Sequence, residues 1–192
     1  MSDPVEVLDY WLGELGPDGW YAAGDELDAE IRDRFADVWQ AAADGGLDHW
    51  VDGPAGALAF LVVTDQFPRN MWRGTARAFA TDAQALAAAR RAIAEGWDMA
   101  APEPERQFFY LPLMHSEAMQ DQEDCIGLIV ERMPETGASN ALHARAHAEI
   151  IRRFGRFPYR NAALGRETSA EEAAFLEGGG YAAVVESLKS AE

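Results

Sequence analysis

Apolar positions recur along the chain at spacings of three and four, the period of an amphipathic helix, and no alternating strand pattern stands out. Asp3 as N-cap, Pro4 at the first helical position and Glu6 two residues on predict an opening helix that stops at Gly13. Leu27, Ile31, Phe35 and Val38 fall on one face of a second, ending at Gly45–Gly46. Pro54 opens a third, apolar nearly all round and so central, which Phe67–Pro68 should end. A fourth runs from about Thr75 to Glu95. Pro102 and Pro104 mark a loop before a short helix at Glu105–Tyr110. Pro112 leads into a helix from His115 that ends before Pro134, and Ser139 caps the next. Thr168 or Ser169 caps a further one, Gly178–Gly180 breaks it, and a last helix trails to Glu192. Eight or nine helices with short links imply antiparallel neighbours. The expected fold is all-α: one domain over 1–192, built as a tetratricopeptide-like array of helix pairs, although no strict period of about 34 residues can be read.

Polar residues interrupt three of the apolar stripes. Leu142, Ala146, Ile150, Phe154 and Phe157 share a face with His143 and His147, while Arg145, Arg152 and Arg156 lie opposite and Arg153 at the edge. His115 and Gln122 lie on the stripe of Met119, Ile126, Ile129, Val130 and Met133, and Glu117 points away. Asp65 shares the central helix's face with Leu58, Leu61 and Val62. There it sits in the last turn, where the helix dipole disfavours an anion by roughly 0.3–1 kcal/mol. Inward polar groups need partners. The expectation is a buried or half-buried cluster of Asp65, His115 and His147 with arginines, and Arg69 and Arg73 stand nearest to Asp65.

Charge narrows the functional classes. The net charge of −17 repels nucleic acid and anionic membranes, so neither is expected as a partner. No apolar run reaches the roughly 18–20 residues of a membrane span, and the opening Ser2–Asp3–Pro4 shows no signal peptide. The single Cys125 excludes an internal disulfide, suits a reducing cytoplasm and reads as a small hydrophobe. Fifteen of the sixteen basic residues are Arg, and they cluster at Arg69–Arg77 and Arg145–Arg166. His143 and His147 have the i, i+4 spacing of paired metal ligands, but Ala144 stands where a zinc protease carries Glu. A hydrogen-bonded core histidine is the expected role, with no metal and no cofactor. No phosphate-binding glycine loop and no nucleophile elbow occur.

Both arginine clusters surround a repeated turn, Phe67–Pro68–Arg69–Asn70 and Phe157–Pro158–Tyr159–Arg160–Asn161. In each, Phe should anchor the turn, Pro stop the helix, Arg satisfy carbonyls and Asn take a left-handed conformation. The blocks DQFPRN, LPLMHSE and RFGRFPYRN, in that order, resemble the bacterial domain-of-unknown-function family numbered 924, from about Val5 to Leu176. The resemblance implies an all-helical, tetratricopeptide-like fold and no established reaction. It also points to Asp65, Gln66, Arg69, Asn70, Arg73, His115, Ser116, Glu117, His147, Arg153, Arg156, Arg160 and Asn161. Two departures stand out: Tyr159 replaces the family's usual His, and Ala148 stands where Arg is frequent.

Two functions follow. In the first, Arg69, Asn70, Arg73, Glu117, Arg153, Arg160 and Asn161 line a pocket for a small phosphate or carboxylate compound. His115 or His147 then serves as acid or base, oriented by Asp65, which suits a cofactor-free hydrolase or lyase. In the second, a helical scaffold captures a protein or peptide, and the polar cluster only specifies the fold.

Overall fold

The computed structural model describes residues 3–22 and 24–191, and among them every regular element is helical. The chain gathers into two compact units, Met1–Pro112 and Leu113–Glu192.

In the first unit, α1 (Pro4–Leu8) starts as its sequence dictates, with the Asp3 carboxylate accepting from the Val5 N–H at 2.9 Å. It does not stop at Gly13. The chain continues through a wide π-helical stretch, Asp9–Leu15, and turns at Gly16, whose φ of 63° suits glycine. Tyr10 and Trp11 are thereby buried. Helix α2 (Asp25–Ala43) ends before the left-handed Gly45, as expected. Its buried residues are Ile31, Phe35, Trp39 and Ala42, so Trp39 takes the inward place given to Val38. The expected helix from Thr75 is shorter. A 3₁₀ turn covers Ala76–Phe79, and α5 (Asp82–Ala94) follows.

The central helix departs most from expectation. Helix α3 (Pro54–Leu61) is not ended by Phe67–Pro68; it widens into π geometry over Val62–Gln66 and continues as α4 (Phe67–Met71). Proline inside a helix removes one N–H and crowds the carbonyl four residues back. The wide turn relieves the crowding, with Phe67 N–H reaching Val62 O, five residues back. The Thr64 carbonyl, four residues before Pro68, accepts instead from the Thr81 hydroxyl at 2.6 Å. Thr81 in turn accepts from the Trp39 indole at 3.1 Å. Phe67 is fully buried, stacked on Phe35 at 4.6 Å with Trp11 edge-on at 5.6 Å.

In the second unit, α6 (Met119–Arg132) begins later than expected, so His115, Ser116 and Glu117 precede the helix. The reason is local: the Gln122 amide donates to the carbonyls of Leu113, Met114 and Ser116, and the Ser116 hydroxyl donates to Asp121 at 2.5 Å. Gln122, Cys125 and Ile129 face inward, while Val130, expected on the stripe, is exposed. Burial pushes the Cys125 thiol up to about 12, consistent with a packing role. Helix α7 (Ala138–Phe154) is capped by Gly137 rather than Ser139. A Cβ at Gly137 would meet the Met133 carbonyl at 2.5 Å, so only glycine fits there. Helix α7 ends at the left-handed Gly155, two residues before Phe157. Ser169 caps α8 (Ala170–Glu177), reciprocally with Glu172. Helix α9 spans Gly180–Lys189; Glu192, to which the last helix was expected to run, lies outside the described residues. Ala146, Ile150, Ile151, Phe157, Phe175, Val184 and Val185 form the core of this unit.

Candidate functional site

The polar residues singled out from the sequence divide between the units. Asp65, Arg69, Asn70 and Arg73 belong to the first. Asp65 is 1% exposed, and its cation is Arg69, at 3.1 Å. The Gln66 amide donates to it at 2.5 Å. Arg69 also donates to the Asp65 carbonyl and forks onto Asp82, at 3.0 and 3.1 Å. Arg73, the other candidate partner for Asp65, instead grips Asp28 bidentately, Nε and Nη2 each at 3.0 Å. The Asn70 amide donates to the same Asp28 at 3.0 Å. Burial pushes the Asp28 carboxyl up, but Arg73 and Asn70 outweigh it and hold it below its ordinary value.

In the second unit the other proline corner repeats that device on a different backbone. Glu172 is gripped by the Arg156 fork, Nε at 2.6 Å and Nη2 at 2.8 Å, and accepts from the Asn161 amide at 3.3 Å. The Ser169 N–H adds a fourth bond at 2.7 Å. In both corners Phe is buried as expected, and Arg69 satisfies the Asp65 carbonyl, but neither proline stops its helix and neither asparagine is left-handed. Pro68 lies within a helix, and Pro158 follows one that Gly155 has already ended. Asn161 is right-handed, and no non-glycine residue among those described has a positive φ. What the two corners share is an asparagine that braces a carboxylate already held by an arginine fork.

Arg156, with the Ser169 N–H and Asn161 helping, lowers the Glu172 carboxyl from 4.5 to about 2. A carboxylate whose folded value lies below its unfolded one stabilises the fold above the unfolded value, and loses that contribution as pH falls toward the folded one. Wild-type protein is therefore expected to lose stability between pH 4.5 and about 2, and Glu172→Gln to lose less of it across that window. Urea midpoints measured at successive pH values check this; parallel profiles for the two proteins would refute it.

A second group in this unit surrounds Phe157. Its N–H donates to Glu117 at 2.9 Å, and its carbonyl accepts from Arg166 at 3.0 Å. Arg166 also forks onto Glu117, at 2.8 and 3.1 Å, and donates to Asn161 at 3.0 Å. Burial raises the Glu117 carboxyl, but Arg166 and the Phe157 N–H overcome it, and the net displacement is downward. The His147 ring meets Phe157 edge-on at 5.2 Å, and the Arg160 guanidinium lies 4.5 Å from the Phe157 ring centre. His115 stands edge-to-face to His147 at 6.3 Å. Both imidazoles are half-buried. Tyr181 lies over His147 at 4.9 Å and over His143 at 5.9 Å, and its hydroxyl is hydrogen-bonded to His143 Nδ1. Arg153 stands apart from this group, exposed above Phe154 and Phe175.

His147 and Arg160 thus meet the Phe157 ring, His115 stands beside His147, Glu117 holds the Phe157 N–H, and Asn161 is joined to Glu117 through Arg166. Sequence reasoning missed Tyr181, which follows three glycines and lies beyond the motif blocks, and it missed the carboxylates Asp28 and Glu172. The helical phase of His143 and His147 was the available signal for Tyr181, since something must cover two half-buried imidazoles one turn apart. Among the described residues, no group of three or more His, Cys, Asp or Glu side chains is placed to hold a metal ion. No described helix is long and apolar enough to cross a membrane.

Residues 7–180, which contain both proline corners and all of these groups except Tyr181, match the family described as bacterial protein of unknown function (DUF924). The chain belongs to this family. Among solved structures, it is similar to a protein of unknown function from Agrobacterium tumefaciens, at 42% identity and a TM-score of 0.85 over 91% of this chain and 97% of that one. No curated protein matches the chain.

Proposed function

We propose that the second unit binds a small anionic ligand, a phosphate or carboxylate compound, at the group formed by His115, His147 and Arg160. The observation that supports this reading is the grouping itself: the His115–His147 pair at 6.3 Å, and the Arg160 guanidinium on the ring that His147 also meets. Imidazolium and guanidinium donors are the groups that recognise an oxyanion. No nucleophile belongs to the group, so proton transfer is the chemistry it offers, as a cofactor-free hydrolase or lyase requires.

Arg69 and Arg73 are left out of the site, because their forks hold Asp65, Asp82 and Asp28. That saturation favours the second reading for the first unit: there the polar network specifies the fold, as in a scaffold that binds a protein or peptide.

A thermal-shift series with inorganic phosphate and a panel of phosphorylated and carboxylated metabolites tests the site. A ligand at 100 times its Kd is expected to stabilise the protein by about 2.7 kcal/mol. His115→Ala and His147→Ala should abolish the shift while keeping their own folding transition, and Arg73→Ala should retain it. No stabilisation by any member of the panel, or a shift that survives both histidine substitutions, would overturn the proposal.

A further inference from the structure

Tyr181 does not belong to the helix that carries the histidines. It is the second residue of α9, and the link from α8 into α9 runs through Gly178, Gly179 and Gly180, the last being the first residue of α9. Gly179 and Gly180 are both left-handed, with φ of 98° and 53°, a conformation that L side chains rarely adopt. Two successive positive-φ glycines make a joint with little steric resistance to rotation. Beyond the joint, Val184 and Val185 are buried, and Tyr181 and Leu188 are packed at the edge of the same core. A side-chain hydrogen bond between Tyr181 and His143 joins α9 to α7. The Tyr181 ring is what lies over His143 and His147.

We infer that α9 is a hinged lid on the histidine site, turning about Gly178–Gly180, and that Tyr181 is the side chain with which it closes. The inference rests on the reading of the histidine group as a ligand site, and it adds how that site is reached. Helix α9 supplies Val184 and Val185 to the edge of the core, so its opening exposes part of that core and still costs less than unfolding the whole unit. Closed, it lays the Tyr181 ring over His147 of the site and holds its hydroxyl against His143. Open, it exposes both imidazoles of α7 to solvent.

Opening can be measured on the full chain without any ligand, by the rate at which diethyl pyrocarbonate acylates each histidine, read by peptide mass spectrometry. His49, exposed on a 3₁₀ turn of the first unit, is the internal standard. Val185→Ala weakens the docking of α9 and should speed acylation of His143 and His147 relative to His49 by roughly tenfold, the factor that 1.4 kcal/mol of lost docking produces. Tyr181→Phe keeps the ring and removes only the hydroxyl; it should speed acylation by a smaller factor and covers the case in which Val185→Ala fails to fold. In wild-type protein, amides of α9 should exchange with deuterium by a local route, ahead of those of α7. Acylation ratios unchanged in both variants, or α9 amides that exchange only on global unfolding, would overturn the lid. If the lid opens as described and no anion in the panel binds, the ligand reading falls and the hinge stands.

Discussion

Phe157→Ala is expected to destabilise the second unit by about 3–5 kcal/mol, the usual cost of removing a buried aromatic ring. Phe157 is fully buried and lies in the same core as Phe175, Val184 and Val185. Its backbone is pinned independently, by Glu117 at the N–H and Arg166 at the carbonyl, so the chain cannot collapse into the vacated space. The loss should therefore sit at the upper end of the range. The same ring seats His147 and Arg160, so the variant should also lose any phosphate-dependent thermal shift. Phe157→Leu fills most of the volume and should cost less than half as much. Urea unfolding followed by tryptophan fluorescence and far-UV circular dichroism together measures both, since the two units need not unfold in one step. A loss under about 1 kcal/mol in Phe157→Ala would show that the ring is not the centre of this core.

Thr81→Val should be nearly as damaging, although it preserves shape. It leaves the Trp39 indole N–H and the Thr64 carbonyl, both in buried residues, without the hydroxyl that joins them. Each orphaned group costs about 1–3 kcal/mol, or roughly 2–6 kcal/mol together. The carbonyl needs Thr81 because Pro68 has no N–H to offer. Pro68→Ala restores a donor in that turn. In the Thr81→Val background it should recover part of the loss, so that the double variant is more stable than the two single changes predict by addition. Strict additivity would mean that Thr81 and Pro68 do not act on the same carbonyl.

The helical class and most helix starts were legible because capping, proline and glycine signals act within one turn. Asp3, Ser169 and Gly45 behave as local chemistry requires. The reading failed where a distant side chain changes the local answer. Pro68 looks like a terminator until Thr81, thirteen residues on, takes over the carbonyl it strands. His115 looks helical until Gln122 folds back on the preceding carbonyls and delays the helix to Met119. The inward polar residues were legible because helical phase marks them, and Asp65 and Gln122 are indeed buried. Which cation each acidic group takes was not, since Arg69 and Arg73 follow Asp65 by one helical turn and two, and only the fold assigns Arg73 to Asp28. The repeated corner shows the same limit: one short motif sits on two different backbones, and what it keeps in common is an asparagine–carboxylate bond to a residue 42 positions away in one case and 11 in the other.

The arginine forks also shape the field around the molecule. Arg34, Arg69, Arg73, Arg152, Arg156 and Arg166 are each matched by a carboxylate at hydrogen-bond distance, which leaves the excess of −17 on other acidic groups, many of them exposed. A diffusing oxyanion meets repulsion that reaches about 8 Å from the surface at physiological ionic strength. Encounter with the histidine group should then accelerate as salt is added, the opposite of the behaviour of sites set in basic surfaces. Repulsion of this kind grows with the visitor's charge, so any penalty on approach should be larger for a polyphosphate than for a singly or doubly charged anion.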